Sequence, residues 1–393
     1  MNEVDVVIIG AGASGLMCAA AAGRRGRRVV VLDSEKQAGR KILMSGGGRC
    51  NFTNYDVEAW HFISANPHFC KSALKRYSQW DVINLLQKHG VAYAERDHGQ
   101  LFCVESAKQV LDLLLRECRE AGVSIRLGEK LASVERVDDG RFVVQGSKGT
   151  FCCQSLVVAT GGLSIPSAGA SPFGYRLAEQ FGVAVRATCP GLVPLTLQPA
   201  DKKRLAPLSG IAIYAEISVA ETSFRENVLF THRGLSGPVI LQISSYWQAG
   251  QTLTVNLLPA EDVAAVLQQS AQQQPKNHVR TVLAHYLPRR VVDTFVPEPL
   301  CHKAVGQLTV AEIAKIEGHI QNWQVAPNGT EGYRTAEVTL GGIDCDELSS
   351  KTFEARKVDG FYFIGEVVDV AGWLGGYNLQ WAWSSGWCAG QYV

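Results

Sequence analysis

The strongest constraint on the fold lies at the N-terminus. Asp5–Ile9 is a short apolar run of the kind that forms a buried parallel strand, and it ends in Gly10-Ala11-Gly12-Ala13-Ser14-Gly15. An Ala-rich helix is expected over Ser14–Arg24 and a second strand over Arg28–Leu32, which ends at Asp33. Strand, glycine turn, helix and strand within about thirty residues make a βαβ unit. In such a unit Gly10 permits the tight turn. Gly12 lets backbone approach a pyrophosphate, and Gly15 lets helix and strand pack closely. The N–H groups of Ala13 and Ser14 and the positive helix end would face the phosphates, while Asp33, with Ser34 beside it, would accept from ribose hydroxyls. A Gly-rich turn without a ligand is the plain alternative, and the acid at the end of the next strand speaks against it.

This motif does not choose between NAD and FAD, and two further features do. Ser45-Gly46-Gly47-Gly48-Arg49-Cys50-Asn51 is a second loop of nearly bare backbone, suited to a flat ring or a second phosphate region. Far along the chain, Gly365-Glu366 follows a buried strand and precedes Gly375-Gly376-Tyr377-Asn378, which opens a helix with Leu379 in its first turn. The acid can bind a ribityl hydroxyl, and the helix start can stabilise charge gathered at the N1/O2 edge of a reduced flavin. Contacts from both ends of the sequence suit non-covalently bound FAD. No second G-x-G-x-x-G is present, so NAD(P)H is expected only as a transient co-substrate.

The rest of the 393 residues fits an inserted arrangement. Helices are expected at Phe69–His89 and Ser106–Ala121, and a hairpin-like stretch at Val123–Gln145 turns at Asp138-Asp139-Gly140. Leu156–Ala159 is a further buried strand, broken by Thr160-Gly161-Gly162. Residues 191–258 read as β-rich and 259–334 as mostly helical, after which Ala336–Leu340, Phe361–Ile364 and a last helix, Tyr377–Gly390, return to the first pattern. The predicted fold class is α/β, with a discontinuous Rossmann-like FAD-binding domain over 1–190 and 335–393 and an inserted domain over 191–334. That insertion is expected to cover the flavin ring and shape a substrate cavity.

Taken together, these stretches resemble the bacterial flavoprotein family that includes aminoacetone oxidase and the bile-acid dehydroreductase of gut anaerobes. The resemblance rests on Gly10–Gly15, Gly39-Arg40-Lys41, Ser45–Asn54, Ala159–Pro166, Phe230–Pro238, Thr339–Ile343 and Tyr362–Gly386. It implies FAD, a β-barrel-like and helical insertion, and redox chemistry on a small or medium organic substrate. It also adds Arg40, Lys41, Leu131, Ala159, Thr160, Gly161 and Gly162 to the cofactor contacts. The family commonly has Glu at Asp33, a change that keeps the ribose contact, whereas Gly169–Pro172 replaces a more polar loop.

Single residues carry less weight. Cys50 reads as a neighbour of the flavin or its substrate, or as packing, and Arg49 and Lys41 as partners of phosphate or of the flavin edge, or as surface ion pairs. His232 is the candidate for proton transfer, with a structural histidine as its counterpart. The tryptophans Trp373, Trp381, Trp383 and Trp387 read as core, and Asp344, Asp346 and Glu347 as a solvated turn without metal ligands. Eleven cysteines without any Cys-x-x-Cys suggest free thiols in a reducing cytoplasm, and no metal site is expected. The uncharged stretches Gln154–Tyr175 and Gly372–Val393 are broken by glycine and polar residues, so no membrane span is expected. The chain reaches its first motif within ten residues, so no leader is expected. A net charge of +1 gives no electrostatic case for nucleic acid, and the runs Arg24–Arg28 and Lys202–Arg204 read as solvated surface. The expected partner is therefore a small molecule. An oxidase of an amine-bearing metabolite and an RNA-modifying flavoprotein stand as alternatives.

Overall fold

The computed structural model describes residues 1–393, which divide into two compact units, Met1–Pro190 with Glu337–Val393, and Gly191–Ala336. The first unit is built on a five-stranded, all-parallel sheet. Its order is Phe361–Phe363, Ser155–Val158, Val6–Ile9, Val29–Asp33 and Ser124–Leu127. All four side chains of Val6–Ile9 are buried, as a parallel strand covered on both faces requires. The central strand pairs Val6 with Val29 on one side and with Ser155 on the other, so the glycine loop at its end lies at the carboxyl edge of the sheet.

Two helices close over that strand. Ala13–Arg24 is buried along ten of its twelve residues, and the C-terminal helix Tyr377–Gly390 packs across it. Small residues allow the close approach: a Cβ on Gly386 would lie 2.4 Å from the Ser14 carbonyl oxygen, and one on Gly390 would lie 2.6 Å from Ala21 Cβ. Trp381 and Trp383 are fully buried, as the sequence predicts, and each indole N–H is satisfied by a carbonyl, Gly365 at 3.0 Å and Phe52 at 2.8 Å. A four-stranded sheet, Asn2–Glu3, Gly149–Cys153, Phe142–Gly146 and Leu131–Arg136, flanks this core.

The segment predicted as one helix over Phe69–His89 is two, Lys71–Arg76 and Gln79–Lys88. Ser78 ends the first and caps the second, with its N–H and hydroxyl both bonded to Asp81 Oδ2 at 2.7 Å.

The second unit has its own core around a seven-stranded sheet whose longest pairing is the antiparallel hairpin Ala212–Val219 with Thr222–Phe230. Its helices include Pro199–Leu205, Val263–Gln273, Arg289–Phe295 and Val310–Gln321. No helix of the protein is long and apolar enough to cross a membrane.

Candidate functional site

The three glycines of the first loop are fixed by different things. Gly10 has φ +114°, and a Cβ there would lie 2.3 Å from the Ala159 carbonyl oxygen; a Cβ on Gly15 would lie 2.0 Å from the Gly10 carbonyl oxygen. Both are closed to any side chain by the fold itself. Gly12 meets nothing within 4 Å, so the space beside it is open. The helix behind it has no side-chain cap and no acid in its first turn, which leaves its N–H donors and positive end available to an anion. Open space in front of an uncapped helix start is what a bound pyrophosphate needs, so the residues present fit a dinucleotide.

Asp33 holds the loop in that form. Its Oδ2 accepts from Ala11 N–H at 2.7 Å and its Oδ1 from Glu35 N–H at 2.8 Å, and each oxygen keeps a lone pair for a hydroxyl. Burial raises its pKa against those two bonds. Ser34 beside it is exposed. Leu131 begins the strand that follows Gly128 and Glu129, whose N–H groups bond to the Glu35 and Asp33 carbonyls at 2.8 Å.

The second loop approaches the same edge. Gly39, left-handed at φ +65°, starts the short helix Arg40–Met44 and donates its N–H to the Ala11 carbonyl at 2.9 Å. Arg40 pairs with Glu35 and bonds to the Ser167 carbonyl. Gly46, Gly47 and Gly48 are left-handed in succession, and Cys50 follows at φ +50°. Ser45 returns its hydroxyl to the Ile42 carbonyl at 2.7 Å, and Arg49 is exposed without an ion pair. Cys50 is fully buried and its thiol is pushed up to about 12 by desolvation, so it is a protonated packing group near neutrality. With its amide oriented to satisfy both ends, Asn51 donates to the Thr53 and Leu101 carbonyls and accepts from Gly376 N–H, each at 3.2 Å.

The third group comes from the far end of the chain. Glu366 Oε1 accepts from Thr339 N–H at 3.0 Å and from Ser164 Oγ at 3.1 Å, and its Oε2 accepts from Lys41 Nζ at 2.7 Å. The acid read as a flavin ligand is thus also half of an ion pair. Gly161 and Gly162 lie against it: a Cβ on either would stand 3.6 Å and 3.0 Å, respectively, from its carboxylate. The preceding Thr160 hydroxyl is buried and has no protein partner. Gly365 is left-handed and sits where a side chain would strike Ser14 Oγ at 2.5 Å.

At the start of the last helix, Gly376 is left-handed at φ +98°, and again there is neither a side-chain cap nor an acid in the first turn. The Asn378 side chain is engaged elsewhere. It accepts from Gly372 N–H and donates to the Gly372 carbonyl, both at 2.8 Å, and so clamps the preceding turn. What Asn378 and Leu379 present outward is backbone N–H.

Beside this helix start is a group that sequence reasoning missed. Tyr377 stacks on the buried His61 at 4.5 Å, with Trp60 and Trp373 edge to face at 5.1 Å. Burial holds the His61 pKa below its ordinary value. The signal was the run Trp60-His61-Phe62, whose partners lie more than three hundred residues away. His232 belongs to the other unit, exposed in the turn between Thr222–Phe230 and Gly234–Ser236. The acidic group at Asp344 is internally spent: Asp344 pairs with Arg186 at 2.9 Å and Glu347 with Lys357 at 2.8 Å.

Comparison with known proteins agrees with this geometry. The family model described as HI0933-like protein Rossmann domain matches residues 4–392. Ribosomal RNA dihydrouridine synthase of Escherichia coli (strain K12) is 52% identical over 397 residues, covering 100% of this chain and 98% of that one. The protein of the same name from Haemophilus influenzae (strain ATCC 51907 / DSM 11121 / KW20 / Rd) is 48% identical over 96% of both chains. The 3-dehydro-bile acid delta(4,6)-reductase of Clostridium scindens (strain ATCC 35704 / DSM 5676 / VPI 13733 / 19) is 28% identical over 100% of this chain and 98% of its own. Among solved structures, 3-ketosteroid-delta4-(5alpha)-dehydrogenase of Rhodococcus jostii RHA1 superposes with a TM-score of 0.50 at 15% identity, covering 99% and 97% of the two chains, a likeness of fold.

These relatives overturn the expectation of no nucleic-acid partner, because two of them, 52% and 48% identical, are named for action on RNA. The physical fault lies in the measure: net charge sums the whole surface, whereas phosphates respond to the local field of one face. The family itself is shown by a match along nearly the entire length: the chain belongs to the HI0933-like Rossmann-domain family and is a flavin-dependent oxidoreductase.

Proposed function

We propose that this protein reduces a uracil ring in ribosomal RNA, with FAD held non-covalently and electrons drawn from NADH or NADPH. The observation that carries the reading is identity of 52% along the full chain to a ribosomal RNA dihydrouridine synthase. Dihydrouridine is uridine with its C5–C6 double bond saturated, a change of two electrons and two protons. FAD, when bound, supplies the electron pair.

The chain's own residues bind and orient. The open face of Gly12 and the N–H groups of Ala13, Ser14 and Gly15 take the pyrophosphate, and Asp33 accepts from the ribose through its remaining lone pairs. The bare backbone of Gly46–Gly48, with Arg49 next in the chain, takes the flat ring, and Gly161-Gly162 keep the space beside Glu366 free of side chains. Glu366, held by Thr339, Ser164 and Lys41, takes a ribityl hydroxyl. The uncapped start of Tyr377–Gly390 favours negative charge at the pyrimidine edge by about 0.3–1 kcal/mol. We assign proton transfer to His232, an assignment that requires His232→Gln to lower kcat and alter its pH profile at unchanged flavin content.

The test is direct. The flavin-loaded protein is incubated anaerobically with NADH or NADPH and an unmodified ribosomal RNA transcript, which is then digested to nucleosides and weighed. A uridine heavier by two hydrogens, dependent on the protein and the reductant, is the expected result. Reduced flavin that leaves every uridine unchanged would overturn the reading.

A further inference from the structure

The chain holds two short basic runs, and the structure treats them differently. In Arg24–Arg28 every arginine has an internal task. Arg24 pairs with Glu117, Arg25 bonds to the Gly390 and Val393 carbonyls at 2.9 and 3.1 Å, Arg27 to Gln154 at 3.1 Å, and Arg28 to Asp5 at 3.0 Å. That run is structural.

The run Lys202-Lys203-Arg204 lies on the helix Pro199–Leu205 in the second unit and is exposed throughout. A second helix, Arg289–Phe295, is joined to it: Arg290 Nη1 donates to the Pro207 carbonyl at 3.2 Å, and the Arg204 guanidinium lies 5.4 Å from the Phe295 ring. The exposed Arg289 and Arg290 therefore share a face with the run. The two helices together hold five cationic side chains and two carboxylates, a balance of +3 against +1 for the entire chain. Asp293 is taken by Arg280 and Asp201 reaches only Arg204, at 3.7 Å. Lys202, Lys203 and Arg289 have no carboxylate partner. Tyr286, 43% exposed, stands in the turn just before Arg289 and offers a ring to an unpaired base.

We propose that this face of the second unit is a docking surface for the phosphodiester backbone of RNA, contacted through Lys202, Lys203, Arg204, Arg289 and Arg290. The inference rests on the reading of an RNA substrate given above and adds where that substrate is held. Charge complementarity selects the partner. Cations without a carboxylate partner are free to meet phosphates, and each phosphate they neutralise releases counterions, which makes the contact salt-dependent. The surface would contribute affinity and position without reading bases.

The experiment compares flavin-loaded wild type with two triple variants of equal charge change. One carries Lys202→Glu, Lys203→Glu and Arg289→Glu. The other carries Lys71→Glu, Lys75→Glu and Lys130→Glu, all exposed in the first unit. Binding of labelled, protein-free ribosomal RNA transcripts, and of ribosomal particles for comparison, is measured between about 0.05 and 0.2 M salt, with flavin content and melting temperature as checks on folding. The first variant should lose about a hundredfold in affinity near 0.1 M salt and flatten the log–log salt slope by roughly three, while the control stays near wild type. Equal losses in both variants, or none in the first, would overturn the proposal, as would loss of binding to ribosomal particles only, which would indicate a protein partner. Nucleoside analysis of the same samples separates the two claims. Dihydrouridine formed without dependence on these residues leaves the RNA reading standing and this one refuted. Binding through them without dihydrouridine does the reverse, and wild type that neither binds nor modifies RNA defeats both.

Discussion

Lys41 and Glu366 are 325 positions apart in sequence, and their side chains meet at 2.7 Å. The pair ties the short helix before the second glycine loop to the turn that follows the last strand of the parallel sheet. Both side chains are partly exposed, so the pair is worth only about 0.5–1 kcal/mol. Glu366→Gln should therefore lower the apoprotein melting temperature by a degree or two and weaken FAD retention by a larger factor. Lys41→Met should cost the same stability, and the double variant no more than either alone. Additive losses in melting temperature would show that the two residues act separately.

Gly12→Val and Gly15→Val should part company. At Gly12 the new side chain enters open space, so the apoprotein should keep its helical circular dichroism and melt close to wild type while flavin no longer binds. At Gly15 the Cβ would collide with backbone at 2.0 Å, and the variant should fail to fold or melt far lower. Flavin bound stoichiometrically by Gly12→Val would exclude the pyrophosphate from this loop.

Stability should fall on mild acidification. Burial lowers the pKa of His61 and of His89 below the ordinary 6.5, so between the folded value and 6.5 the unfolded chain binds more protons. The contribution of these neutral imidazoles is complete above 6.5 and is lost as pH falls from there toward their folded values. His61→Phe should flatten that part of a melting-temperature profile taken from pH 7.5 to 5. A profile that keeps its full slope in the variant would assign the effect to other groups.

Thiol chemistry should be sparse. All eleven cysteines are free, ten are buried, and only Cys189 is exposed. Burial and the Asp369 charge raise the Cys189 pKa, so it should react slowly at neutral pH and faster as pH rises. Mass spectrometry after brief maleimide treatment should show one adduct on the native protein and eleven after unfolding. Several adducts on the native protein would mean that the buried thiols are reached through opening of the core.

What the sequence made legible was local. Gly10–Gly15, the strands on either side and Asp33 announce a nucleotide-binding βαβ unit because their spacing is set by one turn and one helix. The last helix was readable for the same reason, and its observed ends are Tyr377 and Gly390. The break at Ser78 was written as Ser-x-x-Asp but was hidden by an apolar period that runs through it. The ion partner of Glu366 and the aromatic neighbours of His61 were not readable, since each is supplied by a segment hundreds of residues away. The nucleic-acid expectation failed differently. Five cations on two touching helices of the second unit disappear from a sum that includes the acids of the whole chain.

The seam between Ser14 and Gly386 bears on how the chain comes into being. Ser14 lies in the first turn of the helix that faces the phosphate space, and the partner that covers it belongs to the last helix of the chain. Arg25 extends the seam to the carbonyl of Val393, the final residue. During synthesis the N-terminal strand and its glycine loop emerge early, yet this covering helix emerges only after the whole second unit. The nascent first unit must therefore wait, with an apolar helix face uncovered, while the whole of the second unit is made. The second unit therefore has the chance to fold before the first can close.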